Sequence, residues 1–233
     1  MKNNKVIKNT IYLLTLSVVI LTVTVLKKES LILDSFFFEW MNAWSTPKLH
    51  AFMEQIVFLG STEGLFILTV LTLLVLLRKY RFDLMVLYLS IMSCGLVVTY
   101  AMKKFIQRPR PAATVFVDFW GLGADSISYS FPSGHAMKST LFFGFLTCCV
   151  YLHIKNKGIK ASWIGIATII VLSVGGGQML NGRHFFTDII AGYLVGLNLI
   201  FVNILLYGKY KEKVDHIMMQ LPRKLPRKIR RNV

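Results

Sequence analysis

Charge is scarce in this chain. Only 16% of its 233 residues are Asp, Glu, Lys or Arg, where a soluble domain carries about 25%. The hydrophobic 55% gathers into long runs instead of alternating with polar residues. That pattern points to membrane spans and away from one buried soluble core. Acids are scarcer still, 11 against 27 basic residues, for a net charge of +16. In a soluble protein such an excess suggests nucleic acid. Here the cations stand at the ends of apolar runs and in the C-terminal tail, so anionic lipid, and no nucleic acid, is the expected partner. The three cysteines, Cys94, Cys148 and Cys149, lie inside apolar runs, as packed thiols do. They form neither a disulfide framework nor a zinc-type spacing with histidine. No stretch rich in Pro, Gly or Ser separates one part from another, and no repeat extends beyond the paired Leu-Pro-Arg-Lys of 221–228. A single domain over 1–233 is expected, with no cofactor or metal implied.

The first apolar run, Ile11 to Leu26, follows three lysines and is succeeded by Lys27, Lys28 and Glu29 without a small-residue cleavage site, so it reads as a first span. Leu31 to Phe58 mixes apolar residues with Asp34, Glu39, Lys48 and Glu54 and holds Trp40 and Trp44. Indole favours the membrane–water boundary, and interfacial helices are expected here. Five more spans follow, near Gly64–Leu77, Leu84–Met102, Ala136–Ile154, Ser162–Val174 and Thr187–Tyr207. The second and fifth spans are short for a bilayer that needs about 20 residues, so each must extend into its flanks, the fifth up to Leu180. The fold class is therefore all-α, a polytopic bundle of six transmembrane helices with short interfacial helices on the outer side.

Basic residues set the orientation. Arg78, Lys79 and Arg81 follow span two, Lys155, Lys157 and Lys160 follow span four, and a tail from about 209 to 233 holds nine Lys or Arg. With six spans these fall on one side, together with the N-terminal lysines. The positive-inside rule makes that side cytoplasmic. The other, extracytoplasmic side receives the ends of spans three and five and the starts of spans four and six.

Three polar clusters sit at those four ends. Lys103 to Pro111 continues span three, and proline should end the helix near Gln107. This places Lys103 on the last turns and Arg110 on an extended piece. Two such cations can clamp a phosphoryl group or simply anchor a helix end by snorkelling. Pro132-Ser133-Gly134-His135 precedes span four. Ser133 suits a helix cap, the helix start offers free amides to an anion, Gly134 permits close approach, and His135 can donate a proton. An ordinary capped helix with a boundary histidine has the same spelling. Arg183 to Asp188 opens span six. If the helix has begun, His184 and Asp188 share a face. The carboxylate can then hold one ring nitrogen and leave the other as nucleophile, or merely suit the helix dipole. Between the first two clusters the only carboxylates are Asp118 and Asp125, too few for a two-metal mechanism.

Together these residues resemble the type 2 phosphatidic acid phosphatase family, which includes vanadium haloperoxidases. The family pattern of Lys, six residues, Arg-Pro is met by Lys103, Arg110 and Pro111, and Pro-Ser-Gly-His is met in full by 132–135. The third part, Ser-Arg, five residues, His, three residues, Asp, is met only by His184 and Asp188. The six-span layout is similar to that of bacterial phosphatidylglycerophosphate and undecaprenyl-pyrophosphate phosphatases. The resemblance implies a metal-free lipid phosphatase. His184 would attack phosphorus, Asp188 would orient it and His135 would protonate the leaving oxygen. Lys103, Arg110, Ser133 and the Gly134 amide would hold the phosphoryl oxygens.

One departure cuts across that likeness. Gly177-Gln178 stands where the family has Ser-Arg. Glutamine donates hydrogen bonds but carries no charge, a loss worth roughly a hundredfold or more in rate. Arg183 and Arg108 are the nearby candidates to restore the charge, although Arg183 is out of register, since the residue six positions on is Ile189. A weakened or inactive lipid-phosphate-binding or regulatory homologue is the alternative function. A smaller departure is Phe186, where proline is common.

Overall fold

Apolar length decides the architecture. The structure, a computed structural model, describes residues 2–28, 31–111, 116–117 and 124–220. It contains α1 (Lys2–Leu26), α2 (Leu31–Ala43), α3 (Pro47–Phe58), α4 (Thr62–Arg78), α5 (Phe82–Ile106), α6 (Gly134–His153), α7 (Lys157–Leu180) and α8 (Phe186–Gln220). Five helices are long and apolar enough to cross a membrane, in α1, α5, α6, α7 and α8. The remaining expected span, the second, coincides with α4, which has 17 residues. It meets α3 across a short break at 42°, and the bent pair counts as one further span. The fifth span gains its length at both ends, running from Lys157 to Leu180.

One feature differs from expectation. A small antiparallel hairpin, β1 (Phe116–Val117) and β2 (Ala124–Ile127), stands between the first two polar clusters of a chain expected to be all-α. Its strands are too short to carry a period-2 signal. Asp118, the side chain of Asp125 and the basic residues from Lys209 onward lie outside the described residues, save for the helical backbone to Gln220.

Small residues let the helices close. A β-carbon added at Gly196 of α8 would come 2.8 Å from Thr140 Cβ of α6, and one at Gly95 of α5 would come 2.2 Å from Leu141 of α6. Without a hydrophobic drive between helices in lipid, such close approach and interhelical hydrogen bonds hold a bundle. Ser90 of α5 donates to Asn203 Oδ1 of α8 at 2.6 Å, and Tyr88 pairs with Thr69 at 2.6 Å. The main core gathers Leu65, Leu87, Tyr88, Ile91, Met137, Leu141, Phe145 and Val195 between α4, α5, α6 and α8. The end of α5, the start of α6, the end of α7 and the start of α8 meet at one pole, with α2 and α3 packed beside them.

Candidate active site

The α7 terminus delivers the central histidine. Gly182 takes φ 63, a left-handed conformation that glycine adopts without a Cβ clash. The Gly182 amide donates to Met179 O at 2.9 Å and the Arg183 amide to Gln178 O at 3.0 Å, which together make a Schellman turn. Arg183 and His184 leave that turn, and α8 starts only at Phe186. His184 therefore precedes the helix instead of riding on it. Its pairing with Asp188 forms by another route. Asp188 Oδ2 accepts the Phe185 amide at 2.8 Å, the backward half of a capping box, and from there lies 3.6 Å from His184 Nδ1.

Hydrogen bonds assign the tautomer. Ser130 Oγ donates to Asp188 Oδ2, so its proton is spent, and it stands 3.4 Å from His184 Nδ1. Nδ1 thus faces two acceptors and carries the ring proton, which leaves the lone pair on Nε2. Burial pushes the His184 imidazole down to about 4, with Lys103 and Arg110 pressing the same way against the pull of Asp188. The ring is therefore neutral at pH 7.

Arg110 faces that lone pair. Its Nη1 is 3.4 Å from His184 Nε2. The guanidinium is fixed by the carbonyl of Arg183 at 2.8 Å, the carbonyl of Ser128 at 2.8 Å and the Ser128 hydroxyl at 2.9 Å. Lys103, on the last turn of α5, donates to the carbonyl of Tyr129. The α5 helix ends at Ile106, and Gln107 takes φ 50 as its cap. The chain then turns back so that Arg108 O accepts the Ser130 amide at 2.8 Å. Both cations are thereby tied to the strand of chain that carries Ser130.

The Pro-Ser-Gly-His segment closes the site. Ser133 caps α6 through Ala136 N at 3.4 Å, and its own amide donates to Asp188 O at 2.9 Å. The amides of Gly134 and His135 have no acceptor among the described residues and stand free at the helix start, a ready anion site. The His135 ring likewise has no hydrogen-bond partner there. It lies within electrostatic reach of His184, Arg110, Arg183 and Lys138. Lys103, Arg110, Ser133, Gly134, His135, His184 and Asp188 are thus one cluster. No three His, Cys, Asp or Glu side chains among the described residues are grouped to hold a metal.

A family model describing the PAP2 superfamily matches residues 83–212, a stretch that contains every one of these groups. The chain belongs to the PAP2 superfamily. Phosphatidylglycerophosphatase B of Bacillus subtilis (strain 168) is 32% identical over 118 residues, which is 50% of this chain and 54% of that protein. The chain thus matches about half the length of this curated relative. The fold extends further than the sequence match. The crystal structure of a transmembrane PAP2-type phosphatidylglycerolphosphate phosphatase from Bacillus subtilis superposes with a TM-score of 0.73. It is 24% identical and covers 93% of this chain and 99% of its own. The LpxE structure from Aquifex aeolicus gives 0.56 at 22% identity, over 74% and 94% of the two chains.

Three polar groups of this PAP2 chain lie outside the family motifs. Arg108 donates to Asp188 Oδ1 at 2.6 Å, to Asp34 Oδ2 at 2.5 Å and to Thr187 Oγ1 at 2.8 Å, and it stacks 4.1 Å over the Phe185 ring. It is consumed by carboxylates behind the dyad and does not stand in for the family arginine. Asp34 of α2 and Ser130 join the site without being anticipated as members. Asp34 had a signal, being the lone acid in the apolar run 31–38. Ser130 had none. Arg183 is exposed, with no ion-pair partner among the described residues.

Gln178 is fully buried, and among the described residues neither its Oε1 nor its Nε2 meets a hydrogen-bond partner. It sits one helical turn beyond Val174, whose side chain abuts Gly60 beside His135. Nearby, Ser45 Oγ lies 2.7 Å from His50 Nε2, and His50 Nδ1 lies 3.1 Å from Asn181 Oδ1. The Nδ2 of Asn181 is left buried without a partner among the described residues. Phe186 occupies the usual proline position because it stacks on Phe37 of α2, with centroids 3.8 Å apart.

Proposed function

We propose that this chain is a metal-independent phosphatase of membrane lipid phosphates. It works through a phosphohistidine at the outer face of the membrane. The observation that carries the proposal is His184, with Nδ1 backed by Asp188 at 3.6 Å and the Nε2 lone pair turned to Arg110, whose Nη1 donates to it at 3.4 Å. A neutral imidazole held in one tautomer is an activated nucleophile. Lys103, Arg110 and the free amides of Gly134 and His135 supply fixed donors where a phosphoryl group gathers charge, the largest catalytic contribution in such sites.

The steps follow from those positions. Nε2 attacks phosphorus while the bond to the leaving oxygen breaks, and His135 gives that oxygen a proton. His135 then takes a proton from water as the water oxygen attacks phosphorus, which frees phosphate and restores Nε2. Phosphatidylglycerophosphate and undecaprenyl pyrophosphate are the proposed substrates, the first in keeping with the named relative. The outward orientation rests on the basic loops, which the positive-inside rule puts in the cytoplasm. There the basic tail meets anionic lipid.

A second reading has one observation behind it. Gln178 holds the family arginine's position without its charge, and its amide is unpartnered. This favours a weakened enzyme or a lipid-phosphate-binding homologue. Phosphate release from phosphatidylglycerophosphate, undecaprenyl pyrophosphate and phosphatidate in EDTA separates the two, with His184→Ala as the blank. Release that survives EDTA and vanishes in the blank supports the phosphatase. Release only from Gln178→Arg supports the binding protein.

A further inference from the structure

Helix α2 has an unusual inner face. Its inward stripe is Asp34, Phe37, Phe38 and Met41, while Ile32, Phe36 and Trp40 point outward and are exposed. The spacing is that of one helical face. A carboxylate that is 1% exposed is costly to bury unless it is fully paired. Asp34 is so paired. Oδ1 accepts the Thr187 amide at 2.9 Å, and Oδ2 accepts the Thr187 hydroxyl at 2.9 Å and the Arg108 guanidinium at 2.5 Å. The other arm of the guanidinium goes to Asp188 Oδ1. The planar fork fixes both carboxylates in one plane of donors. An unbroken chain of hydrogen bonds and contacts therefore runs from an interfacial helix through Asp34, Arg108 and Asp188 to His184.

We infer that Asp34 is a positioning residue for the reaction, acting through Arg108 to hold the Asp188 carboxylate against His184. It thereby makes the seating of α2 a condition for a competent nucleophile. This deepens the proposed function and rests on it for the reaction itself, but not for the geometry. Asp188 has two oxygens to place. Oδ2 is fixed by Ser130 and the Phe185 amide, and Oδ1 is held by Arg108. With Oδ1 released, the carboxylate can swing out of line with Nδ1, and a displacement of about 1 Å is enough to cost on the order of a hundredfold in rate. Asp34 holds Arg108 on the Asp188 side. Without it the guanidinium is free to turn toward a phosphoryl group.

The charges acting on His184 are Lys103 of α5, Arg110 beyond it and Asp188 of α8, with His135 of α6 in electrostatic reach; Lys138 of α6 and Arg183 of the turn face His135. Arg108 and Asp34 stand behind Asp188. Removing Arg108 takes a cation away but also frees the Asp188 carboxylate from His184, and the two changes move the His184 titration in opposite directions. Removing the charge of Asp34 leaves Arg108 uncompensated, so the titration moves to lower pH.

The test uses the full chain in detergent, as wild type, Asp34→Asn, Arg108→Gln and the double variant. Two readouts are needed. One is the His184 ring titration by NMR, assigned by its loss in His184→Ala, which requires no turnover and survives failure of the phosphatase reading. The other is kcat and KM on a phosphate ester. The expected result is a His184 titration moved to lower pH in Asp34→Asn, with a smaller shift when the same change is made on the Arg108→Gln background. Both single variants should also lose about tenfold to a hundredfold in kcat at unchanged KM, and the double variant should be no worse than Arg108→Gln alone. A shift to higher pH or none in Asp34→Asn, an equal shift on the Arg108→Gln background, or losses that add in the double variant would each overturn it. Should Asp34→Asn unfold, Thr187→Val removes only the hydroxyl joining Asp34 to Arg108. Its kcat loss must likewise disappear on the Arg108→Gln background.

Discussion

Gly192 of α8 lies so close to Ser133 that a β-carbon built on it would come 2.7 Å from the Ser133 carbonyl oxygen and 3.1 Å from the Met137 amide. Both atoms are backbone, so no side-chain rotation relieves the clash. This approach brings the start of α6, with His135, up to the helix that carries Asp188. Gly192→Ala should lower stability by about 1–3 kcal/mol through overpacking and depress activity, as the two histidines are pushed apart. Gly176→Ala, with nothing within 4 Å of its added carbon, is the control and should be neutral or slightly stabilising by helix propensity. Thermal unfolding and phosphate release measured on both variants check this. A Gly192→Ala protein as stable and active as the control would contradict the packing.

The acid limb of the pH profile should be unusually low. Burial holds the neutral form of His184, with its value near 4, and only the neutral ring attacks. As pH falls from 7, activity should persist through the ordinary histidine range near 6.5 and fall only as about 4 is approached. The limb in kcat/KM reports the free enzyme. A midpoint near 6.5 would mean that His184 is better solvated or more tightly ion-paired than its surroundings indicate.

Much of this arrangement is readable from residue spacing. The spans follow from apolar length, and His184 with Asp188, Lys103 with Arg110 and the 132–135 segment converge because each sits at a helix end on one side of the bundle. Asp34 is harder to read, since it arrives from an interfacial helix 153 residues before Thr187 in the chain, and only packing of α2 on α8 brings them together. Arg108 illustrates the same limit. Its charge and position suit a phosphate ligand, and tertiary contacts assign it to two carboxylates. The shared face of His184 and Asp188 is conditional on the helix having begun; α8 begins only at Phe186, and a capping bond makes the pairing instead.

Gln178 separates stability from function. A buried unpaired amide costs about 1–3 kcal/mol, and both of its polar atoms are unpaired. Gln178→Leu should therefore raise the melting temperature. If the amide serves a phosphoryl oxygen, the same change should lower kcat/KM. Gln178→Arg should raise turnover at some expense of folding, since a guanidinium must then be accommodated in a fully buried position. A lower melting temperature for Gln178→Leu would show that the amide is satisfied by a partner such as water.

The outward face of α2 bears on lipid use. Trp40 and Trp44 are 50% and 66% exposed, as expected of rings at a membrane boundary. Alanine at both should weaken hydrolysis of a lipid phosphate more than that of a small soluble phosphate ester, measured in the same detergent. Equal losses on the two substrates would remove α2 from any role in lipid access.

Trapping the phosphoenzyme tests the role of His184 most directly. Purified protein is mixed with radiolabelled phosphatidylglycerophosphate or undecaprenyl pyrophosphate in EDTA and quenched in alkali, which preserves phosphohistidine. The labelled peptide is then mapped. Label on His184 in the wild type, accumulating when His135→Ala slows the second step and absent from His184→Ala, is the predicted result. Phosphate release without label on His184, or release that persists in His184→Ala, would contradict a covalent mechanism at this histidine.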